Sequence, residues 1–232
     1  MFLSRVQLNS ARRGARHLLS SPHALHAAVL TSFPDADATD TGRVLWRLDT
    51  GKHKAHVYVV SPERPDFTQI AEQAGWPSLP DTQTVRDYSG VLERLENGHK
   101  YGFRLTANPT HSRRSSGSEK DGRGKVYGHV TVDQQEAWLL SRQERCGFEI
   151  SETNGPAPLD PEGEVAPVKI LRVSDRQTLS FSRRETRVTL RVATFEGVLT
   201  VTDKEAFTRA LCFGIGRAKG YGCGLMTIAP AP

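Results

Sequence analysis

The apolar residues of this chain come in short runs that switch between the two-residue period of a strand and the spacing of a helix, and the order of switching repeats. Residues 1–8 read as a strand on Phe2, Leu3, Val6 and Leu8, and 21–33 as a helix. Residues 43–48 and 55–60 read as strands joined by a turn at Gly51, 66–74 as a helix, and 101–107 as a strand with alternating faces. That order is β-α-β-β-α-β, the ferredoxin-like pattern. A polar Ser/Gly-rich stretch then intervenes, after which the order restarts. Here 125–132 reads as a strand and 133–145 as a helix with Ala137, Trp138 and Leu140 at core spacing. Residues 168–173, 178–181 and 186–201 read as strands, 203–213 as a helix and 225–228 as a closing strand. The expected fold class is α+β, with two tandem ferredoxin-like (RRM-like) domains, each an antiparallel sheet with helices on one face. The expected division is a first domain over 1–108, a basic loop or hairpin over 109–124 and a second domain over 125–232.

A chain of 232 residues can bury two such cores. No run approaches the 18 or more apolar residues of a membrane span. The formal net charge is +5, and the 31 cations divide into 23 arginines and 8 lysines. That bias suits phosphate, which a planar guanidinium grips with a fork where an ammonium offers a point charge. The charge is also uneven. Residues 111–129 carry Arg113, Arg114, Lys120, Arg123 and Lys125 against Glu119 and Asp121, and 169–191 carry seven cations against two acids, whereas 61–96 and 133–165 are acidic. One basic and one acidic face follow if the basic segments meet in space.

Cys146, Cys212 and Cys223 are odd in number and widely spaced, which suggests neither a disulfide framework nor a zinc site and fits a reducing, cytoplasmic setting. The first 33 residues hold Arg5, Arg12, Arg13 and Arg16 and no acid, as in a mitochondrial transit peptide, but the opening strand favours a mature domain.

Three motifs could carry chemistry. In Ser20-Ser21-Pro22-His23-Ala24-Leu25-His26, Ser21 can cap a helix and Pro22 suits its first position, so His23 and His26 share a face one turn apart. Two imidazoles near a helix N-terminus can move protons beside a docked phosphate, although such a pair is more often plain surface or core. The second motif is Gly214-Ile215-Gly216-Arg217-Ala218-Lys219-Gly220-Tyr221-Gly222-Cys223-Gly224. It lets backbone approach a ligand closely, or else serves only as a turn for tight packing of the last strands. It is neither a phosphate-binding P-loop nor a dinucleotide fingerprint, and Cys223 replaces an aromatic of the RNA-recognition signature that Lys219-Gly220-Tyr221-Gly222 begins. The third is the pair of basic segments, Arg113-Arg114 and Arg183-Arg184, placed to track a phosphate backbone.

Taken together these residues resemble one family, the CRISPR-associated endoribonuclease CasE of the type I-E Cascade complex. The likeness runs through Met1-Phe2-Leu3-Ser4-Arg5-Val6, Leu25-His26, Tyr101-Gly102-Phe103-Arg104-Leu105-Thr106-Ala107-Asn108-Pro109, Gln135-Glu136-Ala137-Trp138-Leu139, Phe195-Glu196-Gly197-Val198-Leu199 and the terminal glycine loop, whose Gly214, Gly216, Gly222 and Gly224 match the family pattern. The resemblance implies cleavage of CRISPR repeat RNA beside its hairpin without metal or other cofactor. It also implies that the product stays bound as one end of a Cascade complex, next to its backbone subunit. It places His26 on the family's catalytic histidine. His23 stands where relatives often have Tyr, and Thr31 where some have an active-site Lys, so a missing charge would fall to Lys219, Arg217 or another cation. Arg183 and Arg184 match the segment that enters the RNA groove, while Arg113, Arg114, Arg123 and Lys125 belong to the basic loop region. The competing expectation is a non-catalytic scaffold that binds an RNA hairpin.

Overall fold

The computed structural model describes residues 1–52, 54–113, 125–156, 165–183 and 186–231. The first part of the chain runs β1 (Phe2–Leu8), α1 (Arg13–Ser20), α2 (Pro22–Leu30), β2 (Leu45–Thr50), β3 (Ala55–Ser61), α3 (Thr68–Ala74), β4 (Gln83–Asp87) and α4 (Ser89–Glu93). Its four strands form an antiparallel sheet in the order β2-β3-β1-β4. This is the ferredoxin-like arrangement, in which the first and third strands lie side by side at the centre. Val6, Leu8, Val57 and Val59 from the sheet meet Leu25 and Val29 of α2 and Ile70 of α3 in one buried cluster. The helix α2 begins where its sequence says it must: Pro22 sits in the first turn, and the Ser21 side chain accepts from the Ala24 N–H at 3.2 Å.

The chain continues through β5 (Lys100–Ala107), β6 (Thr110–Arg113), β7 (Lys125–Gly128), α5 (Val132–Leu140), β8 (Phe148–Ile150), β9 (Glu152–Pro156), β10 (Val165–Lys169), β11 (Leu171–Arg183), β12 (Thr186–Val201), α6 (Lys204–Phe213) and β13 (Met226–Pro230). The second sheet has the order β11-β12-β5-β13, with β8 pairing along the end of β12. The same ferredoxin-like order therefore recurs, and the two-domain fold class is that expected. Phe103, Leu105, Phe195 and Leu199 of this sheet pack against Trp138 and Leu139 of α5 and Phe207 and Leu211 of α6. Both helices start on satisfied caps: Thr131 and Gln134 form a capping box, and Asp203 accepts from the Glu205 and Ala206 N–H groups.

Two strands sit elsewhere than expected. β5 was expected to close the first unit, but it pairs with β12 and β13 and opens the second. The first unit closes instead with β4, whose sequence Gln-Thr-Val-Arg-Asp shows no apolar alternation because it is a largely exposed edge strand. The change of sheet thus falls between Asp87 and Lys100, ahead of the division expected at 108. The stretch 125–132 was expected to open the second sheet, but its β7 pairs only with β6, in a two-stranded arm that brings Arg113 opposite Lys125. The helix expected over 133–145 stops at Leu140 and gives way to a short 3-10 turn, Glu144–Cys146, closed by Gly147 in the left-handed region at φ 70°.

A buried guanidinium helps to join the two sheets. Arg47 of β2 is 2% exposed. It makes a two-pronged pair with Asp49 at 2.8 and 2.9 Å. It also donates to the Arg104 carbonyl of β5 at 2.8 Å and to the Thr227 hydroxyl of β13 at 2.9 Å. The Tyr58 ring lies 5.2 Å from its charge centre.

Candidate active site

His26 lies in the middle of α2, on the side of the helix that meets the glycine-rich loop. Its Nδ1 accepts a hydrogen bond from the Trp46 indole N–H at 3.1 Å, and the two rings are stacked at 23° with centroids 6.4 Å apart. Trp46 is supplied by β2 and is buried. The loop passes over both rings through the 3-10 turn Lys219–Tyr221. A Cβ on Gly220 would stand 3.2 Å from His26 Nε2, and one on Gly222 would stand 2.7 Å from the Trp46 ring. Gly222 is also left-handed, at φ 79°. The close approaches that glycine permits here are thus to the chain's own rings: Gly214 lies over Leu45 and Gly216 over Trp138 in the same way, while Gly224 faces the Ile215 backbone.

A cleft of about 220 Å³ opens beside Trp46, between the two sheets. Pro22 and Leu25 of α2 form one wall; Arg104, Phe181 and Tyr221 form the other. Phe181 and Tyr221 have ring centroids 4.8 Å apart. The strand β11 that carries Phe181 ends at Arg183.

The structure distributes the other expected residues as follows. His23 is exposed on α2, one turn before His26. Thr31 caps the end of that helix and its hydroxyl donates to the Ala28 carbonyl at 2.9 Å. Lys219 adjoins Gly220, and burial, with Arg43 and Arg145 near it, holds its ammonium below the usual lysine range. Arg217 is exposed at the near end of the loop. Arg113, Lys125 and Arg183 are placed by their strands, while Arg114, Arg123 and Arg184 lie outside the described residues. Among the described residues no group of three or more His, Cys, Asp or Glu side chains is placed to hold a metal ion.

Sequence reasoning missed Trp46, Arg43 and Arg145. Trp46 reads as one more apolar residue of a strand, and nothing in Leu-Trp-Arg-Leu marks its N–H as turned toward a histidine twenty residues away. Arg43 and Arg145 lie far from Lys219 in the chain, so only the fold brings the three cations together.

The model of the family described as CRISPR associated protein matches residues 1–230. The chain belongs to that family. Its relatives include the CRISPR-associated endoribonuclease Cse3 of Thermus thermophilus, 28% identical over 236 residues that cover 99% of this chain and 100% of the relative. They also include the CRISPR system Cascade subunit CasE of Escherichia coli, 26% identical over 237 residues, covering 99% and 100%. Among solved structures, Thermus thermophilus Cse3 bound to an RNA representing a pre-cleavage complex superposes with a TM-score of 0.76 at 26% identity, covering 99% of this chain and 98% of that one. Cas6e from Escherichia coli superposes with a TM-score of 0.56 at 25% identity, covering the whole of both chains. These relatives thus match this chain over nearly its whole length, and the solved ones share its fold.

Proposed function

We propose that this family member is an endoribonuclease that cuts CRISPR precursor RNA next to the repeat hairpin without a metal ion and remains on the product as a subunit of a Cascade complex. Two relatives that match 99% of the chain support the reading, one named a CRISPR-associated endoribonuclease and the other a Cascade subunit, as does the solved pre-cleavage RNA complex of the first. The observation that carries it is His26 itself, an imidazole clamped between a buried indole and a glycine backbone at the edge of a cleft.

RNA brings its own nucleophile. The 2′-hydroxyl oxygen attacks the adjacent phosphorus, the bond from phosphorus to the 5′ oxygen breaks, and the products are a 2′,3′-cyclic phosphate and a 5′-hydroxyl. The protein's tasks are to align that oxygen for in-line attack, to move one proton from the 2′ oxygen and one to the 5′ oxygen, and to steady the charge on phosphorus. His26 serves one proton position and His23 the other. Lys219, with Arg43 and Arg145 near it, supplies the positive charge that Thr31 does not. Arg183, Arg184, Arg113, Arg114, Arg123, Lys125 and Arg217 grip the hairpin through its phosphates, since the narrow deep groove of duplex RNA hides base edges.

Positioned proton transfer is worth about 10² to 10⁴ in rate. His26→Ala is therefore expected to slow single-turnover cleavage of a repeat transcript by that factor while hairpin affinity stays within about twofold. Cleavage at the wild-type rate would contradict the assignment.

A further inference from the structure

Trp46 is 2% exposed, yet its one polar atom is turned out of the core and onto His26 Nδ1. An indole N–H can only donate, so Nδ1 takes part through its lone pair and the proton of the neutral imidazole sits on Nε2. The opposite tautomer would bring two N–H groups head to head at 3.1 Å. The loop reinforces this choice from the other side. Gly222 lies against the Trp46 ring and Gly220 against the Nε2 edge of His26, each closer than a side chain would allow without displacement. On this side each ring meets loop backbone, which is itself left-handed at Gly222.

We infer that Trp46 is a positioning residue that fixes His26 as an Nε2–H donor, so that the ring meets the scissile phosphate on the leaving-group side of the reaction. The inference rests on the endoribonuclease reading above and divides the roles left open there. A base at Nε2 needs a bare lone pair on that atom, and Trp46 removes the tautomer that has one. His26 then stabilises the charge that develops on the 5′ oxygen through an Nε2–H hydrogen bond, as a neutral imidazole can, and the proton that the departing oxygen takes up is drawn from solvent water. The complementary role at the 2′-hydroxyl is left to His23.

Imidazole ¹⁵N spectra of the full-length protein at neutral pH test this directly, with the His26 signals identified by their loss in His26→Gln. The wild-type ring is expected to show a bare Nδ1 and a protonated Nε2. Trp46→Phe keeps an aromatic ring and deletes the N–H; its His26 is expected to populate both tautomers, and single-turnover cleavage to fall roughly tenfold with hairpin affinity unchanged. A wild-type ring protonated on Nδ1 overturns the inference, as does a Trp46→Phe protein that cleaves at the wild-type rate. Full-rate cleavage by His26→Ala would instead overturn the nuclease reading and leave the tautomer result standing.

Discussion

The three cysteines show how burial alone sets the chemistry of a side chain in this protein. Burial pushes the Cys223 thiol up to about 12, and it raises Cys212 and Cys146 as well, the last in spite of Arg145, Arg142 and Lys219 nearby. A raised thiol stays protonated at neutral pH, and the thiolate is the species that alkylates. Native protein treated with iodoacetamide near pH 7.5 is therefore expected to resist labelling, with the half-buried Cys146 reacting first and Cys223 last, whereas unfolded protein labels at all three; mass spectrometry of the digest reads the order. The same contrast governs the candidate site. His23 and His26 were legible because Ser21 and Pro22 announce a helix start and the two rings then fall one turn apart. Trp46 was not, since an indole buried in β2 looks alike in sequence whether its N–H meets a histidine or a carbonyl.

At the scale of elements, the glycine loop is where sequence and fold constrain each other most tightly. Gly222 needs its missing Cβ twice, once for a φ of 79° and once for the ring 2.7 Å away. The left-handed region costs an L-residue about 1–2 kcal/mol, and forcing a methyl into a packed site costs about 1–3 kcal/mol more. Gly222→Ala is expected to lower stability by at least about 2 kcal/mol by this arithmetic and to slow cleavage by shifting Trp46. Gly90→Ala is the control: it lies in α4 with open space where a Cβ would go, and is expected to leave stability unchanged or slightly raised on denaturant titration. Elements were readable in proportion to how much of them is buried on one face. β5 and β12 alternate strongly because one side is core, and both were evident. β4 is mostly exposed, so its residues follow solubility instead of a period, and the short α1 turns only Ala15, Leu18 and Leu19 to the core, too few apolar residues to stand out in sequence. The misplacement of β5 followed: with β4 invisible, the next strong strand was counted as the closing one.

At the scale of the whole molecule, the cleft exists because two ferredoxin-like sheets are held at one relative position, and Arg47 is the main polar tie. Its partners are Asp49 on its own strand, a carbonyl of β5 and a hydroxyl of β13, all reached from a buried guanidinium. Removing the guanidinium deletes its hydrogen bonds to groups of both sheets, those from a charged donor being worth about 1.5–3 kcal/mol each, whereas Asp49 is 21% exposed and keeps Arg104 at 3.4 Å. Arg47→Ala is expected to lose about 2 kcal/mol or more on equilibrium denaturation and to cleave poorly even where it remains folded, because the Pro22 wall of the cleft belongs to the first unit and the Phe181 wall to the second. The charge pattern in the sequence gives no sign of this seam, because a single arginine inside a strand carries no mark of burial. The account as a whole stands on the RNA cutting itself at a sugar oxygen under an imidazole's control. The most direct measurement is the end chemistry of a repeat-hairpin transcript incubated with the purified protein in EDTA. A 2′,3′-cyclic phosphate paired with a 5′-hydroxyl is the result expected, and an uncut transcript or a 2′,3′-diol terminus would contradict it.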